Sequence, residues 1–130
     1  MKKIFSISVF FILISNHCIF SQNVPEEILT AFKKGNSTLL SQYFNSSIEL
    51  TIENNDNFYS KNQAEQILKD FFNKNSIISF NITHQGEKND AIFFIGSLNT
   101  NKGTYRVTAY LKFSKNQKLI HQLRIEKKDE

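Results

Sequence analysis

The chain has 130 residues, of which 16 are lysine or arginine and 12 are aspartate or glutamate, and its formal net charge is +4. This length is enough for one domain and too short for two. The basic excess is small and forms no basic stripe with interleaved aromatic residues, so the composition argues against a nucleic-acid-binding protein.

The first 21 residues have the pattern of a secretory signal peptide. Two lysines form a basic start, an apolar run follows over 4–14, and Ser21 is a small residue suited to cleavage. The apolar run is shorter than the roughly 20 residues that a membrane-spanning helix needs. We therefore predict a leader over 1–21, a single mature domain over 22–130 without a membrane span, and a periplasmic or secreted location.

Two other interpretations of the leader are open, an uncleaved anchor and a lipoprotein acylated at Cys18. Asn16 and His17 are bulky and polar where a lipoprotein signal needs small residues, so cleavage after Ser21 is favoured. That cleavage would remove Cys18, the only cysteine, and leave neither a disulfide nor a thiol for catalysis. It would also remove two lysines and no acid, which lowers the net charge from +4 to +2.

Two short helices and a strand are predicted after the leader. Pro25 followed by two glutamates is typical of a helix start, and Gly35 is typical of a helix end. Asn36 or Ser37 then caps a second short helix. Apolar and polar residues alternate over 48–53, which predicts a strand with one face in water.

The longest helix is predicted to begin at Ser60, after a polar turn over 53–57. Ser60 and Gln63, three residues apart, form a capping-box pattern. Apolar residues then recur at the spacing of one helical face: Ala64, Ile67, Leu68, Phe71 and Phe72.

Residues 77–126 are predicted to form a meander of three or four antiparallel strands. Apolar and polar residues alternate with period two over 78–83, 105–113 and 119–126. The run over 91–98 is apolar on both faces, as in a central strand. On the first strand, the residues expected on the apolar face are Ile78, Phe80 and Ile82.

This order of elements resembles the nuclear transport factor 2-like fold, an α+β cone of the cystatin-like type. The resemblance implies that three N-terminal helices pack on a curved antiparallel sheet. It also implies a pocket at the mouth of the cone, where enzymes of this fold place Asp, His or Tyr for proton transfer.

Several short segments carry a closer resemblance: Phe20-Ser21-Gln22, Pro25-Glu26-Glu27-Ile28, Tyr43-Phe44-Asn45, Tyr59-Ser60-Lys61, Ala64-Glu65, Leu68-Lys69-Asp70-Phe71-Phe72, Gly103-Thr104-Tyr105-Arg106-Val107 and Gln122-Leu123-Arg124-Ile125-Glu126. Together they are similar to a small secreted family of Gram-negative bacteria, a domain of unknown function within the nuclear transport factor 2-like group. The resemblance covers nearly the whole chain. It implies the fold and export, and it brings no activity.

His121 is the leading candidate for a catalytic residue. Alternation in the last strand places it on an apolar face with Leu119, Leu123 and Ile125. Because the reference pKa of histidine lies near neutral pH, His121 could act as a general base. The tyrosines that would serve as its partner are Tyr43, Tyr59 and Tyr105. A histidine hydrogen-bonded at the rim or in the core is the more common arrangement, since catalysis needs a second positioned group.

Arg106 and Arg124 are predicted on the opposite register of the sheet, together with Tyr110. There they could bind an anionic ligand, or they could form ion pairs with glutamates on a solvated face. Histidines 84 and 121 have no metal-binding spacing, so neither a metal nor a cofactor is expected. The candidate ligand-binding residues are Tyr59, Tyr105, Arg106, Tyr110, His121 and Arg124.

A further apolar set has no obvious cover among the helices: Ile92, Phe94, Leu98 and Ile120. Exposed, these residues would form a homodimer or partner surface; covered, they would form a second layer of the core. The partner surface is favoured, because dimerisation through the open sheet is common on the fold that the chain resembles.

The sequence therefore predicts an exported single-domain α+β cone that acts as a small binding or interaction module, with a small ligand held in the cone. The prediction depends on the apolar lining and on the lack of an identifiable nucleophile, metal cluster or acid–base pair. The alternatives are a cone-type lyase or isomerase that uses His121 and a homodimeric structural protein.

Overall fold

The structure, a computed structural model, describes residues 24–129. The predicted signal peptide, its cleavage position and Cys18 lie outside the described residues. The described elements, in chain order, are α1 (Glu26–Lys34), α2 (Ser37–Ser41), β1 (Phe44–Ile52), β2 (Asn55–Ser60), α3 (Lys61–Lys74), β3 (Ile77–Lys88), β4 (Ala91–Thr100), β5 (Gly103–Ser114) and β6 (Gln117–Lys127). The predicted α+β class and the meander of four strands at the C-terminal end are confirmed.

The helix boundaries follow from capping residues. Two glutamates lie in the first turn of α1, and Gly35 ends that helix in the left-handed conformation with a φ of 61°. The side chain of Asn36 accepts a hydrogen bond from the backbone N–H of Leu39 and so caps α2. The predicted capping box of α3 is present, with both hydrogen bonds between Ser60 and Gln63 formed.

The six strands form one sheet in the order β2-β1-β6-β5-β4-β3. All neighbours are antiparallel except β1 and β6, which run parallel. The expectation of a purely antiparallel sheet is therefore wrong at this one pair. These two strands are separated in the chain by α3 and most of the meander, and such a long connection allows parallel pairing where a hairpin does not.

The expectation of three N-terminal helices is met only in part. Helices α1 and α2 precede the sheet, but α2 has only 5 residues and α3 lies between β2 and β3. Strand β2 was missed because the sequence around 53–57 reads as a polar turn. The turn itself consists of Glu53 and Asn54. The asparagines that follow belong to β2, which pairs with β1 at the edge of the sheet, where exposed polar side chains stay in water.

The core lies between the helices and one face of the sheet, and aromatic rings from three elements meet in it. Phe32 of α1 stacks on Phe80 of β3 with ring centroids 4.7 Å apart, and Phe94 of β4 meets both rings edge-on. Gly96 makes room for this packing, since a Cβ there would lie 2.5 Å from the Phe80 ring.

Shifts of register in β3 and β6 overturn several side-chain predictions. Because a residue without a partner inverts the alternation beyond it, each shift moves side chains to the other face. Ile78 falls at a shift between Ile77 and Ser79 and is 71% exposed, so its predicted place in the core is wrong. His84 follows a second shift and is exposed.

The shift in β6 falls at His121, which has no register partner. Ile120 pairs with Leu111 and Gln122 pairs with Tyr110, so Ile120 lies in the core and His121 does not. The predicted apolar face of Leu119 and His121 is therefore wrong.

The four residues considered for a partner surface are all buried: Ile92, Phe94, Leu98 and Ile120. The favoured interpretation of this set is wrong. These residues belong to the core that the helices cover, where Phe94 contacts Phe32 of α1, so they do not form a separate second layer either. The residues of β4 that point away from the core include Phe93, which is partly exposed, and Ile95. Among the described residues, none of the helices has the length and apolar character needed to cross a membrane.

Candidate ligand pocket

A cavity of ≈ 610 Å³ opens between the β1–β2 hairpin and α3. We call it the hairpin pocket. Its apolar wall consists of Leu50, Ile52, Ile67 and Phe71. Its polar lining consists of Tyr59, four asparagines at 54, 55, 57 and 75, and the charged residues Glu53, Asp56, Asp70 and Lys74. The volume falls within the range of roughly 300–1,000 Å³ that is typical of small-molecule sites.

The turn of the hairpin, which forms the edge of the sheet, is anchored to β6. Glu53 adopts a left-handed φ of 55°, and its backbone N–H donates a hydrogen bond of 2.8 Å to the carbonyl of Ile125 in β6. Along β2, alternation directs Asn57 toward the pocket, opposite Leu50, whereas Phe58 pairs with Glu49 and is 69% exposed. One side of the hairpin therefore faces α3 and the other faces solvent.

Tyr105 lies beneath the pocket and is 3% exposed. Its hydroxyl is 3.3 Å from Glu53 Oε1 and 3.2 Å from Asn75 Oδ1, and its ring meets Phe71 edge-on. Asn75 is itself fixed, because its Nδ2 donates to the carbonyl of Phe71 at 2.9 Å. A phenol has one proton, so only one of the two oxygens can accept from Tyr105 at a time.

The pKa of Tyr105 is raised above its ordinary value of 10.0, first by burial and then by the negative charge and hydrogen bond of Glu53. The hydroxyl therefore stays protonated at neutral pH and acts as a donor at the base of the pocket.

The charged lining is predominantly acidic. Lys74 Nζ lies 2.9 Å from Asp70 Oδ2, one helical turn away on α3. Asp56 Oδ1 accepts a hydrogen bond of 3.0 Å from the Thr51 hydroxyl. Of the three carboxylates, that of Asp70 is thus paired with the lysine. That of Asp56 lies on the Thr51 side of the hairpin, away from Leu50 and Asn57, so the unpaired carboxylate on the pocket side is that of Glu53.

The structure separates the residues that the sequence grouped as a candidate site. Tyr59 lines the hairpin pocket, and Tyr105 lies beneath it. The other four residues belong to β5 and β6 and do not line the pocket: Arg106, Tyr110, His121 and Arg124. Since alternate residues of a strand point to opposite faces, Arg106 and Tyr110 lie on the face away from Tyr105 and the helices.

On that outer face the arginines lie among acidic and aromatic neighbours. Arg124 Nε is 3.2 Å from Glu126 Oε1 in a half-exposed ion pair, and Arg106 is the register partner of Glu126. The ammonium of Lys112 lies 5.5 Å from the centre of the Tyr110 ring. This arrangement matches the alternative of a solvated face with ion pairs.

His121 is not positioned as a base for the pocket. Burial, and secondly the positive charge of Lys112, lower the pKa of His121 below its ordinary value of 6.5. Its Nε2 has no hydrogen-bond partner among the described residues. Tyr43 borders a different depression, beside Pro25 and Phe113, so the predicted tyrosine partners do not gather around the histidine.

Sequence reasoning missed Asn75 and placed residue 53 only in a polar turn. Each is polar and lies at the end of an element, a position that also suits an ordinary turn, so local pattern gave no signal. Their meeting on Tyr105 depends on contacts across 30 and 52 residues of chain. No group of three or more His, Cys, Asp or Glu side chains within residues 24–129 could hold a metal ion.

Comparison with known proteins agrees with this architecture. A DUF4783 family protein from Bacteroides ovatus is 39% identical, with a TM-score of 0.80, over 84% of this chain and 99% of that one. A second, from Bacteroides uniformis, is 40% identical, with a TM-score of 0.79, over 83% of this chain and 100% of that one. No curated protein matches the chain significantly.

More distant structures share the fold alone. An NTF2-like protein of unknown function from Cytophaga hutchinsonii has a TM-score of 0.57 at 13% identity, over 79% of this chain and 85% of that one. The family model described as a domain of unknown function (DUF4783) matches residues 25–126. The chain therefore belongs to the DUF4783 family, a group of domains of unknown function with the nuclear transport factor 2-like fold.

Proposed function

We propose that this protein is a small binding module that holds a small molecule in the hairpin pocket and carries out no reaction on it. The single observation that carries the proposal is the pocket itself, a cavity of ≈ 610 Å³ with an apolar wall and converging polar groups. The buried Asn75 amide at its base is fixed by hydrogen bonds to the carbonyl of Phe71 and to the hydroxyl of Tyr105 beneath the pocket. Such preorganised groups favour selective binding, because their side chains lose little conformational entropy when a ligand binds.

The arrangement of polar groups supports binding more than catalysis. General acid–base catalysis needs a group whose pKa lies near the working pH and which reaches the substrate. Tyr105 keeps its proton, because its pKa is raised, and His121 does not line the pocket. The polar groups that do line it suit hydrogen bonding and charge recognition.

We also propose that the chain is exported and that residues 1–21 are removed on the way. The basic start, the apolar run over 4–14 and the small residue Ser21 support this. The family match begins only at residue 25, so the leader is not part of the domain that the family shares.

The binding proposal is tested with a variant whose larger side chain blocks the pocket. The variant Asn57→Trp places an indole at the mouth of the pocket from an exposed position of β2, so the core packing is not disturbed. The variant Phe58→Trp is the matched control, because it adds the same ring one residue later on the side that faces solvent.

A library of small water-soluble fragments, screened by ligand-observed NMR, provides the probe. We expect saturable binders of the unaltered protein to lose binding in Asn57→Trp and to keep it in Phe58→Trp. If the unaltered protein has no saturable binder, or if Asn57→Trp binds the same fragments as well as Phe58→Trp does, the proposal is wrong.

A further inference from the structure

We infer that the ligand of the hairpin pocket is an organic cation, a small molecule that carries an ammonium group beside an apolar part. This inference depends on the proposed function, because it specifies the chemical class of the molecule that the pocket binds. Three independent features of the lining lead to it: the balance of charges, the balance of hydrogen-bond donors and acceptors, and the apolar wall.

The charges of the lining favour a cation. The charged side chains on the pocket side are those of Glu53, Asp70 and Lys74, since the Asp56 carboxylate lies on the Thr51 side of the hairpin. Lys74 is already paired with Asp70 at 2.9 Å. Within residues 24–129, Glu53 forms no ion pair. An uncompensated negative charge at a concave surface attracts a cation and repels an anion.

At the base of the pocket, hydrogen-bond acceptors outnumber donors. The single proton of Tyr105 is shared between Glu53 Oε1 and Asn75 Oδ1, at 3.3 Å and 3.2 Å. One of the two N–H groups of Asn75 Nδ2 donates to the carbonyl of Phe71. One acceptor at the base of the pocket therefore always lacks the proton of Tyr105. An ammonium group offers three donors and no acceptor, so it suits these acceptors, whereas a carboxylate or phosphate offers them no proton.

The apolar wall indicates that the cation is organic. Leu50 and Ile52 of β1 face Ile67 and Phe71 of α3 across the pocket, and the Tyr59 ring lies on the same lining. A hydrocarbon part of the ligand is stabilised by contact with the aliphatic side chains. An aromatic ring next to carboxylates also stabilises an organic ammonium through cation–π attraction.

The test uses three probes of nearly the same shape and different charge: benzylammonium, benzyl alcohol and benzoate. Each is titrated into the purified protein, and amide chemical shifts are followed by NMR at low and at high salt. We expect benzylammonium to bind at least about tenfold more tightly than benzoate, with benzyl alcohol between them. The largest shifts should fall within 50–59 and 67–75, and salt should weaken the binding of the cation most.

Isosteric variants separate charge from shape. Glu53→Gln removes one charge from the pocket and should weaken benzylammonium binding about two- to fivefold while leaving benzyl alcohol nearly unchanged. Asp90→Asn, in the exposed turn between β3 and β4, removes the same charge far from the pocket and should have no effect.

The outcomes distinguish the inference from the function on which it depends. If benzyl alcohol or benzoate saturates the pocket amides at least as tightly as benzylammonium, the pocket binds small molecules and the cation inference is wrong. The same conclusion follows if Asp90→Asn weakens binding as much as Glu53→Gln. If none of the three probes gives saturable shifts at the pocket, the cation inference is wrong, and the fragment screen with Asn57→Trp decides the proposed function separately.

Discussion

At the scale of single residues, burial and neighbouring charge set the protonation of two side chains of the sheet, Tyr105 and His121. Tyr105 is buried next to Glu53, which stabilises its protonated form. His121 is partly buried next to Lys112, which stabilises its neutral form. The two shifts have opposite directions because the acid becomes negative on losing a proton and the base becomes positive on gaining one. Both residues are therefore uncharged in the folded protein at neutral pH.

The pKa of His121 gives a prediction about pH. We expect His121 to titrate below 6.5 in the folded protein, as measured by NMR of its ring protons. Because the unfolded chain then binds a proton more readily than the folded one, the contribution of His121 to stability is fully present above pH 6.5. It is lost as the pH falls from 6.5 through the folded pKa.

Removal of the neighbouring charge should move this pKa in a defined direction. Lys112→Gln should raise the pKa of His121 only part of the way toward 6.5, because burial is the larger cause. Lys102→Gln, in the exposed turn between β4 and β5, should leave it unchanged. A pKa of 6.5 or above in the unaltered protein would contradict the assigned surroundings of His121.

At the scale of elements, α3 joins the core to the hairpin pocket. Its apolar face places Leu68 and Phe72 in the core, while Ile67, Phe71 and its last turn line the pocket. Its first turn is fixed by the capping box, in which Ser60 and Gln63 satisfy each other's backbone N–H groups. Both the fold and the pocket therefore depend on where α3 begins.

Removal of this cap should destabilise the whole domain. We expect Ser60→Ala to lower the free energy of unfolding by about 1 kcal/mol, measured by urea denaturation, because the first turn loses an acceptor for a backbone N–H. Ser60→Asp keeps an acceptor at this position and should retain most of the stability. Equal losses for the two variants would show that the cap is not the source of the effect.

Register shifts are the second feature at this scale, and they decide which side chains the sheet presents to each face. In β6, the residue without a partner is His121, and the shift returns Ile120 to the core. In β3, the same effect exposes Ile78. Period-two alternation fails at such points, because one extra residue inverts every side chain that follows it.

At the scale of the whole molecule, the sheet divides the protein into two unlike sides. One side carries the helices, the core and the hairpin pocket. The other carries a polar face with the Arg124–Glu126 ion pair and the Lys112–Tyr110 contact. The residues predicted as one ligand site fall on both sides, so no single ligand can contact them all.

The proposal of export is tested on the full chain, expressed in a Gram-negative host. We expect the protein from the periplasmic fraction to begin at Gln22, as read by N-terminal sequencing and intact mass. Cys18→Ala should leave this processing unchanged, because a cleaved signal peptide does not need the thiol. Loss of processing in Cys18→Ala, or a lipid mass on Cys18, would instead support the lipoprotein alternative.

The sequence alone determined the features that depend on local chemistry. The capping residues Gly35 and Ser60, the apolar face of α3 and the C-terminal meander were predicted correctly, since each depends on a short run of residues. The sequence left two points open, and the structure has Asn36 rather than Ser37 as the cap of α2 and four strands rather than three in the meander. The resemblance of several short segments indicated the family and the fold, and both are confirmed.

Only the tertiary structure decided the pairing of β2, the parallel neighbour of β1, the register shifts and the composition of the pocket. Each of these depends on contacts between residues far apart in the chain, such as Glu53 and Asn75 with Tyr105. Strand β2 lacks an apolar pattern because it is an edge strand with most side chains in water, and its order comes from backbone pairing with β1. The alternation of a single strand reports its two faces only while its register is unbroken, and the register is a property of the assembled sheet.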